Sequence, residues 1–142
     1  MPAAPSARAY AKRLNAELAV IDKRRTEDGT AEVMNVVGDV EGRDCILADD
    51  MIDTAGTVTE AARALKALGA NDVYVCATHA VFSGPAIERL KAAPFTEVVV
   101  TDTINLAPER RFERLTVLSV GELLSKAVRY THAEQSVSSL FD

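Results

Sequence analysis

Residues 44–60 read DCILADDMIDTAGTVTE. A short apolar run, Cys45 to Ala48, ends in two adjacent acids, Asp49 and Asp50. The turn Asp53-Thr54-Ala55-Gly56-Thr57 follows, and a helix-forming segment starts behind it. A strand, an acidic strand end, a loop of small residues and a helix together suit a sugar phosphate. Small residues let backbone N–H groups approach phosphate oxygens, and a helix N-terminus adds favourable potential. Carboxylates repel a phosphate, so the acids serve another part of the ligand. They accept hydrogen bonds from ribose hydroxyls or hold a metal through water.

Working outward, residues 57–68 carry apolar side chains at helical spacing (Val58, Ala61, Ala62, Leu65, Leu68), with Thr57 and Glu60 spaced for a capping box. Gly69 suits the position just past the helix end. Strands are expected at 72–78, 97–101 and 115–119, and helices at 84–92, with Pro85 in the first turn, and 120–132. A helical turn is expected within 107–113. Upstream, 6–16 reads as a helix with Ser6 as a possible N-cap, and Leu18–Asp22 as a strand running into Lys23-Arg24-Arg25. Thr26–Thr30 reads as a mobile loop. Residues 32–40 and 44–50 read as β-rich and paired through a turn at Asp39–Gly42. The tail from Glu134 to Asp142 reads as extended. Alternating strands and helices from residue 44 onward imply an α/β domain with a parallel sheet, whose ligand lies beyond the carboxyl ends of the strands at a topological switch point.

The chain has 142 residues, enough for one domain with a core, and 48% are hydrophobic, which argues against disorder. A formal net charge of −5 argues against broad nucleic-acid binding. No apolar stretch approaches the roughly 20 residues of a membrane helix. The start, Met1 to Ser6, lacks the pattern of a signal peptide. Cys45 and Cys76 lie in apolar runs and read as buried free thiols of a cytoplasmic protein. With only two histidines, nothing resembles a zinc site.

DDMIDTAGT resembles the phosphoribosyl-pyrophosphate-binding loop of phosphoribosyltransferases and ribose-phosphate pyrophosphokinases. AVIDKRR at 19–25, AEVMNVVGDVEG at 31–42, ATHAVFSGPAIERL at 77–90 and QSVSSLFD at 135–142 are similar to pyrophosphokinase sequences. The resemblance covers residues 7–142 and corresponds to the C-terminal half of that family's usual chain. It implies a single domain with a type I phosphoribosyltransferase fold, a mostly parallel sheet flanked by helices. The implied reaction moves a pyrophosphoryl group from ATP, with Mg²⁺, to the C1 hydroxyl of ribose 5-phosphate, giving phosphoribosyl pyrophosphate and AMP. Lys23 and Arg25 match the catalytic cations. Asp49 and Asp50 match the ribose-hydroxyl acceptors, and Asp53, Thr54, Ala55, Gly56 and Thr57 wrap the 5-phosphate. Ser136 and Ser138 match tail positions that bind a regulatory anion, inorganic phosphate or ADP, at subunit contacts of a homo-oligomer. No metal ligand is assigned within this chain.

Two departures stand out. Glu27, Asp28 and Gly29 occupy a loop where relatives often carry Arg, Pro or Asn, and those acids weaken phosphate attraction. Ala55 stands where glycine is common, which requires either a negative φ or local strain. His79, next to Ser83-Gly84, reads as structural. The competing readings are a phosphoribosyltransferase, which shares the 49–57 loop but needs a base-binding hood, and a non-catalytic sugar-phosphate-binding regulatory subunit.

Overall fold

The computed structural model describes residues 4–25 and 32–141, with side chains over 7–22 and 34–141. The Thr26–Thr30 loop lies outside the described residues. Helix α1 spans Ala4–Leu14, so Ser6 sits inside its first turns rather than at the cap. Strands β1 (Val20–Arg25) and β2 (Glu32–Val37) follow, then β3 (Cys45–Ile52), α2 (Gly56–Ala67), β4 (Val73–Ala80), α3 (Ala86–Ala92) and β5 (Glu97–Thr101). A 3₁₀ turn at Pro108–Arg110 bears out the helical turn expected within 107–113. Strand β6 (Leu115–Leu118) and helix α4 (Gly121–His132) complete the series.

β3, β4, β5 and β6 form one four-stranded parallel sheet in that order; α2 joins β3 to β4, α3 joins β4 to β5, and the segment holding the 3₁₀ turn joins β5 to β6. Alternation along β4 decides where the core lies. Val73, Val75 and Ala77 are buried, whereas Tyr74 and Cys76 are only partly so. The buried set meets Ala62 and Leu65 of α2, Ala86 and Leu90 of α3, and Val98 and Val100 of β5 in one cluster. α1 and the segments around it cover a cavity of about 850 Å³ lined by Tyr10, Leu14, Ile46, Tyr74 and Cys76. Cys45 and Cys76 both line that cavity, and both are free and half-buried. The thiols are free as expected but only partly buried, because this packing leaves open space. Burial still pushes both thiols up from their ordinary value.

The expected pairing of β2 with the 44–50 strand is also overturned. β2 pairs antiparallel with β1, from Val20 opposite Val37 to Arg25 opposite Glu32. The turn at 41–42 is present, but it redirects the chain instead of closing a hairpin. The Gly42 N–H is taken by the Gly69 carbonyl (2.8 Å), and β3 turns to β4 for its ladder. Ile21 and Val36 pack against the main core, which holds the β1–β2 hairpin on the molecule. Gly38 lets the hairpin base close, since a Cβ there would sit 2.9 Å from the Ala19 Cβ.

At the end of α2 the expectation holds in detail. Gly69 adopts a φ of +86°. Its N–H meets the Lys66 carbonyl, and the Ala70 N–H reaches back to the Leu65 carbonyl. These two bonds make a Schellman motif. The tail is not extended. Val137–Leu140 forms a 3₁₀ turn, started by the Ser139 hydroxyl donating to the Ser136 carbonyl (2.7 Å). Among the described residues no helix is long and apolar enough to cross a membrane.

Candidate sugar-phosphate site

β3 continues two residues past the acid pair, to Ile52, so Asp49 and Asp50 lie on the strand rather than in the following turn. Successive strand side chains point to opposite faces. At this strand end, however, the Asp49 and Asp50 carboxyls still interact with each other. The Asp50 N–H donates to the Asp49 carboxylate at 2.8 Å. Partial burial pushes the Asp49 carboxyl above the usual aspartate range; that backbone N–H opposes the shift, and the Asp50 side chain adds to it. Asp49 thus holds its proton more tightly when folded. Its stabilising contribution is full below the unfolded-state value and is lost as pH rises through the folded one.

The chain then turns through Asp53 and Thr54 into Ala55, which has φ 60° and ψ 10°. This is the strained alternative raised by the sequence, a left-handed residue carrying a β-carbon. Ala55 is also the N-cap of α2, and no side chain caps the helix. The Thr57–Glu60 capping box is therefore not formed as expected: the helix begins one residue before Thr57. Thr59, not Thr57, bonds locally, its hydroxyl reaching the carbonyls of Ala55 (2.8 Å) and Gly56 (2.9 Å). The Thr59 N–H makes an intrahelical bond back to Ala55. The amides of Gly56, Thr57 and Val58 precede it and have no intrahelical acceptor. An uncapped first turn directly after a tight elbow presents N–H groups to an anion.

Neighbouring strand ends add polar groups. Met51 of β3 is in register with His79 of β4. The His79 Nδ1 lies 2.9 Å from the Thr103 hydroxyl, and Thr101 and Thr103 both donate to the Thr78 carbonyl. Asp102 accepts the Val120 N–H at 2.8 Å, and hydrogen bonds from Ser119 and then Val120 hold its carboxyl below the usual range. Sequence reading passed over Thr101, Asp102 and Thr103. The available signal was a polar Thr-Asp-Thr run directly after a valine-rich strand, the same strand-end logic that singled out Asp49.

The structure brings Asp49, Asp50, Asp53, Thr54, Ala55, Gly56 and Thr57 together as one strand–loop–helix unit at the carboxyl end of the sheet. The sheet order β3-β4-β5-β6 does not reverse, so the expected switch point is not found among the described strands and β3 is an edge. Lys23 and Arg25 lie on the separate β1–β2 hairpin, opposite Met34 and Glu32. Ser136 and Ser138 are on the tail turn, their hydroxyls 2.7 Å apart. The 850 Å³ cavity is a different place, since its lining reaches Ala48 and includes none of residues 49–57.

A family model described as the phosphoribosyl synthetase-associated domain matches residues 27–142. The chain belongs to this phosphoribosyl synthetase-associated family. Among its relatives, a ribose-phosphate pyrophosphokinase of Gloeobacter violaceus is 57% identical over 136 residues, covering 95% of this chain and 41% of the relative. One of Bacillus subtilis is 54% identical over 135 residues, covering 95% of this chain and 43% of the relative. The crystal structure of phosphoribosylpyrophosphate synthetase from Mycobacterium smegmatis superposes with a TM-score of 0.84 at 42% identity, over 92% of this chain and 42% of that one. The phosphoribosyl synthetase-associated chain thus spans about two fifths of the length of these relatives. The fold expected from its sequence, a parallel sheet flanked by helices in the manner of a synthetase, is the one found.

Proposed function

We propose that this chain is a phosphoribosyltransferase-type domain, the C-terminal half of a ribose-phosphate pyrophosphokinase, and that it holds ribose 5-phosphate for pyrophosphoryl transfer from ATP. The observation that carries the reading is the uncapped start of α2 behind the left-handed Ala55, one short turn beyond Asp49 and Asp50. The 5-phosphate sits against the 53–57 amides, and the strand carboxylates accept ribose hydroxyls. Fixing the sugar at both ends orients its C1 hydroxyl for attack on the ATP β-phosphorus, and catalysis is then mostly positioning and charge stabilisation. Lys23 and Arg25 supply the cationic part, as a compact charge and a two-point fork for phosphate oxygens.

Mg²⁺ enters with ATP. Among the described residues no group of three or more His, Cys, Asp or Glu side chains could hold a metal ion. Magnesium needs only one or two carboxylates beside substrate phosphates and water, so Asp49 or Asp50 fits that role. When bound, it neutralises charge on the phosphates. Ser136 and Ser138 take a regulatory anion in the same reading. A cytoplasmic location and a homo-oligomer are part of it as well, the oligomer supported by the exposed Leu124 and Val128 on α4.

The test is calorimetry with ribose 5-phosphate and a coupled assay for AMP. The chain alone binds the sugar phosphate and turns over far below about 1 per second, the low end of ordinary enzyme rates. Adding a chain that carries the remaining three fifths of a relative raises AMP formation. Pyrophosphate release that depends on an added nucleobase, with no AMP formed from ATP, would instead favour a phosphoribosyltransferase.

Asp49 gives this reading a pH dependence. A ribose hydroxyl donates to the ionised carboxylate, so affinity climbs as Asp49 loses its proton, with an inflection above the ordinary aspartate range. Asp49→Asn removes that inflection and weakens binding roughly tenfold. The same substitution raises the melting temperature slightly at neutral pH, because it removes the repulsion between two adjacent carboxylates. A variant with an unchanged affinity–pH profile excludes Asp49 from the ribose site.

A further inference from the structure

Arg89 lies 35 positions along the chain from Thr54, on α3, yet its guanidinium Nη1 donates to the Thr54 carbonyl at 3.0 Å. The same nitrogen would be 3.4 Å from a Cβ placed on Gly56. One cation therefore lies against both residues that flank the left-handed Ala55. An L-residue in that conformation is strained by about 1–2 kcal/mol, so the elbow must be held by its surroundings. A trans peptide sets its C=O and N–H in opposite directions. With the Thr54 oxygen drawn towards Arg89, the Ala55 N–H is turned the other way, off the Arg89 side of the loop.

We propose that Arg89 is a positioning residue of the phosphate loop: by holding the Thr54–Ala55 peptide it aims the Ala55 N–H, with that of Gly56, at the bound phosphoryl group. The proposal rests on reading 53–57 as the site of the 5-phosphate. Arg89 acts through the peptide and does not touch the sugar. The guanidinium also sets a positive charge behind the loop, which adds to the potential of the α2 N-terminus.

The experiment follows backbone amide shifts of Ala55 and Gly56 by ¹⁵N–¹H NMR while ribose 5-phosphate, and separately inorganic phosphate, is titrated into the wild type and Arg89→Lys, Arg89→Gln and Arg89→Met. In the wild type both amides shift on binding. Arg89→Met keeps the fold, moves the free-state Ala55 amide resonance and weakens both ligands roughly tenfold or more, as for loss of a hydrogen bond to a charged group. Arg89→Lys, which retains a charged donor, recovers most of the affinity, and Arg89→Gln an intermediate part. Methylguanidinium added to Arg89→Ala restores binding in proportion to its concentration. Wild-type affinity in Arg89→Met, with the wild-type amides shifting normally, overturns the role of Arg89 and leaves the loop assignment standing. Wild-type amides that do not respond to either ligand overturn the loop assignment and this proposal together.

Discussion

Gly56→Val eliminates most of the affinity for ribose 5-phosphate, by roughly a hundredfold, as expected when several charge-assisted hydrogen bonds are lost together. Gly56 is the first residue of α2 and has no left-handed φ, so valine does not strain the backbone there. The damage is local and steric. A Cβ at this position already stands 3.4 Å from the Arg89 Nη1 and 3.9 Å from the Thr54 hydroxyl. The two methyl groups of valine extend beyond it, displace the guanidinium or the threonine, and cover the amides of the first turn. Calorimetry on a variant with unaltered circular dichroism separates lost binding from lost fold. Unchanged affinity would show that the helix start does not meet the phosphate.

Phe82→Ala is expected to have the largest effect on stability, about 3–5 kcal/mol, as for other large-to-small changes at fully buried aromatic positions. The side chain is 0% exposed and belongs to the central cluster with Ile52 and Leu90. Its backbone is tied as well: the N–H donates to the Ile52 carbonyl (3.0 Å), and the carbonyl accepts from Arg110. Phe82 thus joins the end of β3, where the phosphate loop starts, to the β4–α3 connection that leads into the helix carrying Arg89. Against a typical total of about 5–15 kcal/mol, the loss is a large fraction. A fall in melting temperature on the order of 10 °C follows for a chain of this size. Loop binding should weaken alongside it. A shift of only a degree or two would mean that the cavity refills by collapse of α3.

Much of this architecture was legible before any coordinates. Valine-rich runs separated by helical periodicity announce a parallel sheet, and the sheet formed with strands within a few residues of those expected. Gly69 was readable because a left-handed helix stop is local chemistry. The loop after Asp49-Asp50 was readable for the same reason. The capping box misled because Thr57 and Glu60 have the correct spacing, and spacing alone does not say where the helix starts. The left-handed Ala55 moved that start forward. The extended tail misled because a short serine-rich segment has no period to read, and its turn depends on Ser139 finding the Ser136 carbonyl.

By itself the sequence determined the features whose causes lie within a few residues: the alternation of strand and helix, the acids at the end of β3, the small-residue turn, and the glycine stop of α2. Tertiary structure decided which edges pair and what reaches the loop from afar. β2 chose β1 over β3, and the two half-buried cysteines came to line a cavity. Arg89 arrived against Thr54 from 35 residues away. Backbone period and turn chemistry are local properties of a chain. Partner choice and a guanidinium brace depend on which surfaces meet once the core has packed, and no single stretch of sequence encodes that meeting.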